Sequence, residues 1–407
     1  SSKLNVRRAL RKYFRTKFVL DKQAYLARRK DYKLLLKRKE RDAKLAKLDA
    51  LLNCMDKPSE FWREIKKFRR RPQCTGDITG EQWLQHFRTV LNDNLNEDTP
   101  DPTIPEDREE EPFLDAPITA SEIKKAIKRL KLGRSAGPDG ILNEMIKLSG
   151  DIVLEYLVKL FNTIFDSGIY PEEWTRAVIV PIHKKGPTDN PDTFRGITLL
   201  STLGKVLTAV LNNRLSVWTE DNGIIDESQA GFRKGRSTVD HIFTLYAVVE
   251  KQLLSKRKLY AAFVDFRKAY DSVNRSLLWV AIHEAGVKGK MFDMLRNMYS
   301  KVSACVRCNA GSTTEYFECL QGLKQGCVAS PILFSLFINS LAREVLSRGR
   351  HGISLSPHQV ELFVLLFADD LLLLSDTVVG LQNQISVLYE AALRARLSVN
   401  TDKTKVV

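Results

Sequence analysis

Two adjacent carboxylates between two apolar runs constrain this chain more than any other feature. Residues 362–375 read Leu-Phe-Val-Leu-Leu-Phe-Ala-Asp-Asp-Leu-Leu-Leu-Leu-Ser, with Asp369 and Asp370 at the centre. Each flank has the length of a β-strand and is too short to span a membrane, so the pattern predicts a β-hairpin with both carboxylates at its tip. Ionised carboxylates beside buried strands are costly unless a cation compensates them, which indicates a divalent metal ion. The alternative is a polar turn that only joins two strands, although Asp-Asp is a poor pair for a tight turn.

A second apolar strand that ends in a carboxylate lies earlier in the chain. Residues 261–273 read Ala-Ala-Phe-Val-Asp-Phe-Arg-Lys-Ala-Tyr-Asp-Ser-Val, and Asp265 directly follows the apolar run. Carboxylates at the ends of neighbouring strands can hold two Mg²⁺ ions roughly 3.5–4 Å apart, which stabilises the attacking and the leaving oxygen of an in-line phosphoryl transfer. Asp271 falls on what reads as a helical continuation, so we expect it to cap or pair locally.

Six further motifs accompany these two segments in a fixed order. They are Gly137-Pro-Asp-Gly-Ile141, Val180-Pro-Ile-His-Lys-Lys-Gly186, Phe194-Arg-Gly-Ile-Thr-Leu-Leu200, Gln229-Ala-Gly-Phe-Arg-Lys-Gly-Arg-Ser-Thr238, Gln321-Gly-Leu-Lys-Gln-Gly-Cys-Val-Ala-Ser-Pro331 and Asn400-Thr-Asp-Lys-Thr404. From about residue 118 onward, their order resembles that of the reverse transcriptases of non-LTR (LINE-type) retrotransposons.

The resemblance implies an α+β fold, the right-hand polymerase, with fingers over residues 118–260 and a palm over residues 261–407. An antiparallel palm sheet backed by helices would carry Asp265, Asp369 and Asp370, which would hold two Mg²⁺ ions, for which Mn²⁺ could substitute. The implied reaction adds dNMP to a primer 3′-OH on an RNA template. In this family the primer is nicked chromosomal DNA, so the implied process is target-primed reverse transcription, with template RNA, target DNA and dNTPs as partners.

The resemblance also assigns residues that would contact the incoming nucleotide. Charge accumulates on the departing pyrophosphate, so polymerisation needs cations beside the triphosphate. Lys184 and Arg195 on adjacent fingers strands would supply them, whereas the role of Lys185 stays open. Tyr270 would lie beneath the sugar and exclude a ribose 2′-OH, unless it is simply a core aromatic. The remaining predicted contacts are Phe266, Gln325 and Gly326 with the nucleotide, and Lys403 as the acid that protonates pyrophosphate.

Positive charge is concentrated at the amino terminus. The chain has a net charge of +15, and residues 1–71 contain 25 Lys and Arg against 8 Asp and Glu. This composition predicts a helical arm from Val6 to about Asn53 and a short helix over Glu60–Phe68, and it is typical of binding to a phosphate backbone. The alternative is a solvated helix without a partner. The predicted nucleic-acid contacts are Arg69, Arg70, Arg71, Arg134, Gly137, Arg233, Lys234 and Arg236.

Residues 92–117 differ sharply in composition, with ten acidic residues, one Arg and five prolines. They predict a flexible linker that repels nucleic acid, and hence a basic helical extension over residues 1–91. Thr119 and Glu122 then form a capping box that opens a helix over Ile123–Lys131.

The six cysteines follow no disulfide framework, and the Cys305-x-x-Cys308 pair stands alone, so ordinary thiols in a reducing compartment are expected. Without a signal peptide or an apolar span, the protein is expected to be soluble and intracellular, acting in the nucleus after a cytoplasmic ribonucleoprotein stage. Because relatives carry an endonuclease, a primer grip and a thumb, we expect a piece of a larger polyprotein. Three alternatives remain open: a maturase or telomerase-like polymerase, a non-catalytic or domesticated nucleic-acid-binding descendant, and an unrelated two-metal nuclease.

Overall fold

The computed structural model describes residues 2–52, 78–92, 103–104, 109–184, 186–308, 311–349, 351–354 and 361–407. The chain divides into two compact units, Ser1–Arg71 and Pro72–Val407. Predictions for the helix Glu60–Phe68, for Arg69, Arg70 and Arg71, for Lys185 and for most of the acidic segment fall outside the described residues.

In the described part of the first unit, residues 2–52, two helices contact each other, α1 (Ser2–Thr16) and α2 (Val19–Leu52). Lys17 adopts a positive φ of 57° and ends the first helix, a break that composition did not indicate. Asp21 stabilises the corner, because it accepts a hydrogen bond from Thr16 at 2.6 Å and pairs with Lys12 at 2.9 Å. Most of the described side chains in this unit are exposed.

The second unit contains the remaining elements. Its helices are α3 (Gly80–Val90), α4 (Pro112–Asp115), α5 (Ala120–Arg129), α6 (Asn143–Leu148), α7 (Gly150–Ser167), α8 (Glu172–Thr175), α9 (Thr202–Asp221), α10 (Thr238–Leu254), α11 (Arg275–Glu284), α12 (Gly289–Asn297), α13 (Ser330–Arg348) and α14 (Val378–Arg394). Its strands are β1 (Arg176–His183), β2 (Phe194–Leu199), β3 (Tyr260–Val264), β4 (Ser303–Val306), β5 (Phe317–Glu318), β6 (Ile353–Ser354), β7 (Glu361–Leu362), β8 (Val364–Phe367), β9 (Asp370–Ser375) and β10 (Lys405–Val406).

The predicted antiparallel palm sheet is confirmed, with strand order β10-β3-β9-β8 and antiparallel pairing throughout. Helices α13 and α14 pack against it on the side of the main hydrophobic core. On the other side, Val248 of α10 contacts a smaller cluster that includes Leu365 and Leu372. Apolar side chains on both faces explain why these strands read as continuous hydrophobic runs rather than as an alternating pattern.

A second sheet has the order β2-β1-β4-β5, with β1 antiparallel to β2 and parallel to β4. Two associations in this region cross the predicted domain boundaries. Strands β4 and β5 belong to the predicted palm range, yet they lie in the same sheet as β1 and β2 of the predicted fingers. Helix α3 belongs to the predicted extension, yet its Trp83 and Phe87 lie in the main core of the second unit. Neither association is visible locally, because both depend on pairing across more than a hundred residues.

The capping box of Thr119 and Glu122 is confirmed at the start of α5. The acidic segment before it ends earlier than composition predicts, since Leu114 is fully buried in the core. Arg214 of α9 joins these parts: it binds both carboxylate oxygens of Glu122, at 2.6 and 2.9 Å, and donates to the carbonyls of Leu114 and Pro117. Among the described residues, no helix has the length and apolarity needed to cross a bilayer.

Candidate active site

The Asp-Asp segment forms the predicted hairpin. Strands β8 and β9 pair in antiparallel register, with Phe367 opposite Asp370, so Ala368 and Asp369 form the tip. Ala368 has a φ of 61°, in the left-handed region, which lets the chain reverse over two residues. The hairpin carries both carboxylates at the same edge of the palm sheet.

Asp265 is brought to that edge by β3. Val264 pairs with Leu371 in antiparallel register, so the next residue, Asp265, lies opposite Asp370. Residues opposite each other on antiparallel strands have Cβ atoms about 4.5–5.5 Å apart. Burial raises the pKa of Asp370, and the charges of Asp369 and Asp265 raise it further. The three carboxylates predicted from two distant segments therefore lie close enough to repel one another.

The side chain of Asp265 contacts two groups from the Asn400–Thr404 motif. Asn400 Nδ2 donates to Asp265 Oδ2 at 2.9 Å, and Lys403 Nζ lies 3.3 Å from the same oxygen. With Asp265 turned toward these donors, the described residues contain no group of three His, Cys, Asp or Glu side chains placed to hold a metal ion. The carboxylate oxygens nevertheless have the chemistry of ligands for a divalent cation, whose charge would offset their mutual repulsion. The Lys403 side chain is 68% exposed, so solvent can take the place of its contact with Asp265.

Two cations lie at the end of the hairpin of β1 and β2, near Asp271. Arg195 pairs with Ile182 across the hairpin, and the N–H of Lys184 donates to the carbonyl of Thr193 at 2.9 Å, so both side chains leave the same end. Burial lowers the pKa of Lys184, and the charges of Arg195, Lys403 and Lys268 lower it further, while Asp271 raises it. Because three other cations lower the pKa of Lys184, these side chains form a cluster of positive charge that a bound anion would stabilise.

Lys268 is a member of this cluster that the sequence analysis did not identify. It lies three residues after Asp265 in a turn with a φ of 47°, and its Nζ is 3.0 Å from Asp192 on the short 3₁₀ turn before β2. The side chain therefore joins the palm turn to the fingers hairpin. A lysine in a turn is usually solvated, so only the unusual backbone conformation of Lys268 would have signalled this position.

The loop that carries Gln325 is held by the turn at Asp271 and by strand β2. Gln325 Nε2 donates to Asp271 Oδ1 at 2.6 Å, and its carbonyl accepts from Thr198 of β2 at 2.8 Å. Asp271 therefore pairs with a residue 54 positions away rather than locally, and residues 267–271 form a turn rather than the expected helical continuation. Gly326 has a φ of 135° and a Cβ there would lie 2.5 Å from the Thr198 carbonyl oxygen, so only glycine fits.

Arg275, which the sequence analysis also missed, fixes the start of the same loop. Its guanidinium donates to four carbonyls at 2.7 to 3.2 Å, those of Tyr299, Cys319, Gln321 and Gly322. Lys324 within the loop is also buried, and its Nζ donates to the carbonyl of Met298 at 2.9 Å. Burial lowers the pKa of Lys324 to about 8. Gln325 is thus presented by a rigid loop beside the Asp265 turn.

Tyr270 is partly a core residue. Its ring stacks on Phe334 at a centroid distance of 4.3 Å, and its hydroxyl has no hydrogen-bond partner among the described residues. Burial and the charge of Asp369 raise the pKa of that hydroxyl, which places it near the carboxylates. Phe266 is different, because its ring is buried in the core with 4% exposure. The ring therefore packs in the core, and the contact of Phe266 with a nucleotide stays a prediction.

The predicted nucleic-acid contacts separate into available and unavailable side chains. Arg233 is engaged within the fold, because its buried guanidinium binds both oxygens of Glu220 at 2.8 Å and donates to the carbonyls of Asp226 and Gln229. Its contact with nucleic acid stays a prediction. Its neighbours differ: Lys234 is exposed, while Arg236 pairs with Glu227.

The loop of the Gly137 motif shows the same division. Arg134 is exposed. Packing within the fold requires glycine at position 137, because a Cβ there would lie 2.3 Å from the carbonyl oxygen of Leu200. The predicted approach of this backbone to RNA is not needed to explain the glycine. The loop therefore packs against the end of β2 through Gly137 and leaves Arg134 toward solvent.

Comparisons with known proteins identify a family for this chain. The family described as Reverse transcriptase (RNA-dependent DNA polymerase) matches residues 182–407. The probable RNA-directed DNA polymerase from transposon BS of Drosophila melanogaster is 30% identical over 296 residues, covering 71% of this chain and 32% of that protein. The RNA-directed DNA polymerase from the mobile element jockey of the same species is 25% identical over 402 residues, covering 91% of this chain and 42% of that protein.

The chain thus spans less than half the length of these relatives. Among solved structures, apo telomerase from Candida tropicalis truncated from its C-terminal domain aligns with 63% of this chain and 55% of that one, at a TM-score of 0.44 and 14% identity.

Proposed function

The chain belongs to the reverse transcriptase family, and from this membership we propose that it adds deoxynucleotides to a primer 3′-OH on an RNA template. The predicted relationship to non-LTR retrotransposon enzymes is confirmed by relatives from jockey, transposon BS and R2 elements. The observation that carries the proposal is the meeting of Asp265 with Asp369 and Asp370 at one edge of the palm sheet. Lys403 contacts Asp265 there, and its charge also acts on Lys184.

Membership of the family implies dependence on a divalent metal in general, and Mg²⁺ is the ion we propose, with Mn²⁺ as a substitute. Asp265 and Asp369 would hold two ions, and Asp370 would add negative charge. When bound, the ions would activate the primer hydroxyl and offset the charge on the leaving pyrophosphate. To take part, Asp265 would exchange its contact with Lys403 for the metal, which frees the Lys403 ammonium beside the triphosphate.

The remaining steps fall to side chains of this chain. Lys184 and Arg195 would bind the triphosphate oxygens, and Arg195 can do so with two parallel hydrogen bonds. Lys268 joins this group because it influences the pKa of Lys184. Lys403 would donate a proton to the departing pyrophosphate. Gln325 and Gly326 would contact the nascent base pair, and Tyr270 would exclude a ribose 2′-OH.

The partners we propose are template RNA, a target DNA that supplies the primer, dNTPs, and the endonuclease and thumb segments of a parent polyprotein. Target-primed synthesis on chromosomal DNA would require the protein to act in the nucleus, after a cytoplasmic stage in complex with RNA. Exposed basic side chains on α2, together with Arg134 and Lys234, support contact with phosphate backbones.

Primer extension on an RNA template with Mg²⁺ tests the proposal. The wild-type chain should incorporate dNTPs, and Asp369→Asn should reduce incorporation by at least about 1,000-fold, comparable to losing a group that acts only in the transition state. RNA binding, measured separately, should be retained by the variant.

The control is Asp166→Asn, which removes an exposed carboxylate on α7, outside the palm sheet, that pairs with Lys290 at 2.8 Å, and it should behave like the wild type. Retained incorporation in Asp369→Asn would contradict the catalytic assignment. RNA binding without incorporation by the wild-type chain would instead favour the non-catalytic nucleic-acid-binding alternative.

A further inference from the structure

Gln229 is a buried side chain that contacts the tip of the Asp369–Asp370 hairpin. Its exposure is 1%, and its carboxamide makes three hydrogen bonds. Oε1 accepts from the N–H of Ala368 at 3.0 Å and from the N–H of Gly231 at 2.7 Å, while Nε2 donates to the carbonyl of Ala368 at 3.3 Å. The amide can take only this orientation, because the reverse one would point its NH₂ group at two N–H donors. One side chain thus satisfies both backbone polar groups of Ala368.

The backbone that Gln229 binds is in a conformation that needs support. Ala368 has a φ of 61°, which a residue with a Cβ adopts reluctantly, and it directly precedes Asp369. Strained backbone at a functional site persists only where the surroundings fix it. The direction in which Asp369 leaves the hairpin depends on this one residue.

The segment around Gln229 is fitted to the hairpin along its whole length. Leu366 of β8 donates to Ser228 at 2.8 Å and accepts from Ala230 at 2.9 Å, so the segment extends the edge of the palm sheet. A Cβ on Gly231 would lie 2.2 Å from the nitrogen of Ala368, which only glycine avoids. His241 of α10 adds a contact, since its Nε2 lies 2.7 Å from the carbonyl oxygen of Leu366.

We propose that Gln229 is a positioning residue for the carboxylates, which it orients through the backbone of Ala368. The inference rests on the proposed function and deepens it by adding a group that touches neither substrate nor metal. The reaction needs the carboxylates held to a fraction of an ångström, because a misplacement of about 1 Å can cost about 100-fold in rate. A side chain that binds the N–H and the carbonyl of the tip residue supplies that constraint.

Gln229→Met tests the proposal, because it keeps the length of the side chain and removes all three hydrogen bonds. Its single-turnover rate of dNTP incorporation should fall about 100-fold. The matched control is Gln384→Met, which removes another fully buried glutamine that donates to the same hairpin, to the carbonyl of Leu374 at 2.9 Å but far from the tip. It should lower the melting temperature similarly while the rate of correctly folded enzyme stays close to that of the wild type.

A second measurement requires neither metal nor substrate. Hydrogen exchange of the backbone over residues 364–371 should accelerate in Gln229→Met, at Ala368 above all, and should stay at the wild-type rate there in Gln384→Met. Adding Ala368→Gly to Gln229→Met should restore part of the incorporation rate, because glycine adopts a positive φ without strain.

Equal rate losses in the two glutamine variants at equal loss of stability would overturn the proposal, as would unchanged exchange at the tip in Gln229→Met. An inactive wild-type chain would count against the proposed function instead. The exchange comparison would then still decide whether Gln229 orders the tip.

Discussion

Tyr270 has different surroundings on its ring and on its hydroxyl. The ring lies flat on Phe334 and edge-on to Phe232, so it contributes to the palm core. The hydroxyl is buried near Asp369 without a hydrogen-bond partner among the described residues, an arrangement that costs free energy unless a ligand relieves it. The position of Tyr270 is therefore compatible with both predicted roles, a packed core aromatic and a ring that excludes a ribose 2′-OH.

Replacing Tyr270 separates the two readings. Tyr270→Ala should lower the preference for dNTP over rNTP by about 10- to 100-fold, the range expected when a pocket loses one discriminating contact. Its stability should also fall, because the stacked ring is lost. Tyr270→Phe is the control, since it keeps the ring and should keep discrimination. Competition between dCTP and CTP in primer extension measures the ratio, and an unchanged ratio in Tyr270→Ala would make the residue purely structural.

Individual cations show what a residue's type can and cannot predict. Arg233 and Lys234 are adjacent in one basic motif, yet Arg233 is buried against Glu220 and Lys234 is exposed. A fork-shaped guanidinium satisfies a buried carboxylate well, whereas an ammonium prefers water. The motif predicted positive charge correctly, but Arg233 lies in a loop and its acidic partner Glu220 lies 13 residues earlier, in α9, and gave no local signal.

At the scale of elements, local patterns predicted what depends on neighbouring residues. The Asp369–Asp370 hairpin and the capping box at Thr119 both arise from side chains a few positions apart, and both are present. Contacts between elements were not predictable in the same way. The hydrogen bonds between Gln229 and Ala368 join residues that are far apart in the chain. The pairing of β1 with β4 depends on a parallel register that no local pattern encodes.

The link between α5 and α9 gives a prediction that belongs to this scale. Burial alone would raise the pKa of Glu122, but hydrogen bonds from Arg214 and Thr119 outweigh burial and lower the pKa to about 2. Because the folded pKa lies below the unfolded value, the pair stabilises the fold above about pH 4.5, and that stability is lost as the pH falls toward about 2. Glu122→Gln should therefore cost on the order of 2–3 kcal/mol at pH 7, and much less at pH 3.

Urea unfolding of both proteins at the two pH values measures this difference. Glu155→Gln, which changes an exposed carboxylate on α7, is the control and should show no such dependence. A cost for Glu122→Gln that is the same at pH 3 as at pH 7 would mean that the lowered pKa does not contribute to stability.

For the molecule as a whole, charge is divided unevenly between the two compact units. Residues 1–71 carry a net charge of +17, more than the +15 of the whole chain, while the second unit is slightly acidic and contains the carboxylates and their local cations. Composition predicted this division directly. It did not predict that residues 80–90 belong to the core of the second unit, because Trp83 and Phe87 find their partners in β2, at Phe194 and Gly196.

The first unit supports a prediction about binding rather than chemistry. Lys22, Arg29, Lys33 and Lys37 recur at helical spacing on one face of α2, and all four are exposed. Asp21 and Tyr25, which neighbour Lys22, are partly buried. Replacing these four cations with Gln should weaken RNA binding and reduce the slope of log K against log salt by up to about 3, at about 0.7 for each phosphate contact with a single strand.

The control replaces four exposed lysines of the second unit, Lys159, Lys256, Lys258 and Lys301. It removes the same charge and should change the slope less. Equal slopes in the two variants would mean that net charge alone matters, and that α2 does not lie along the nucleic acid.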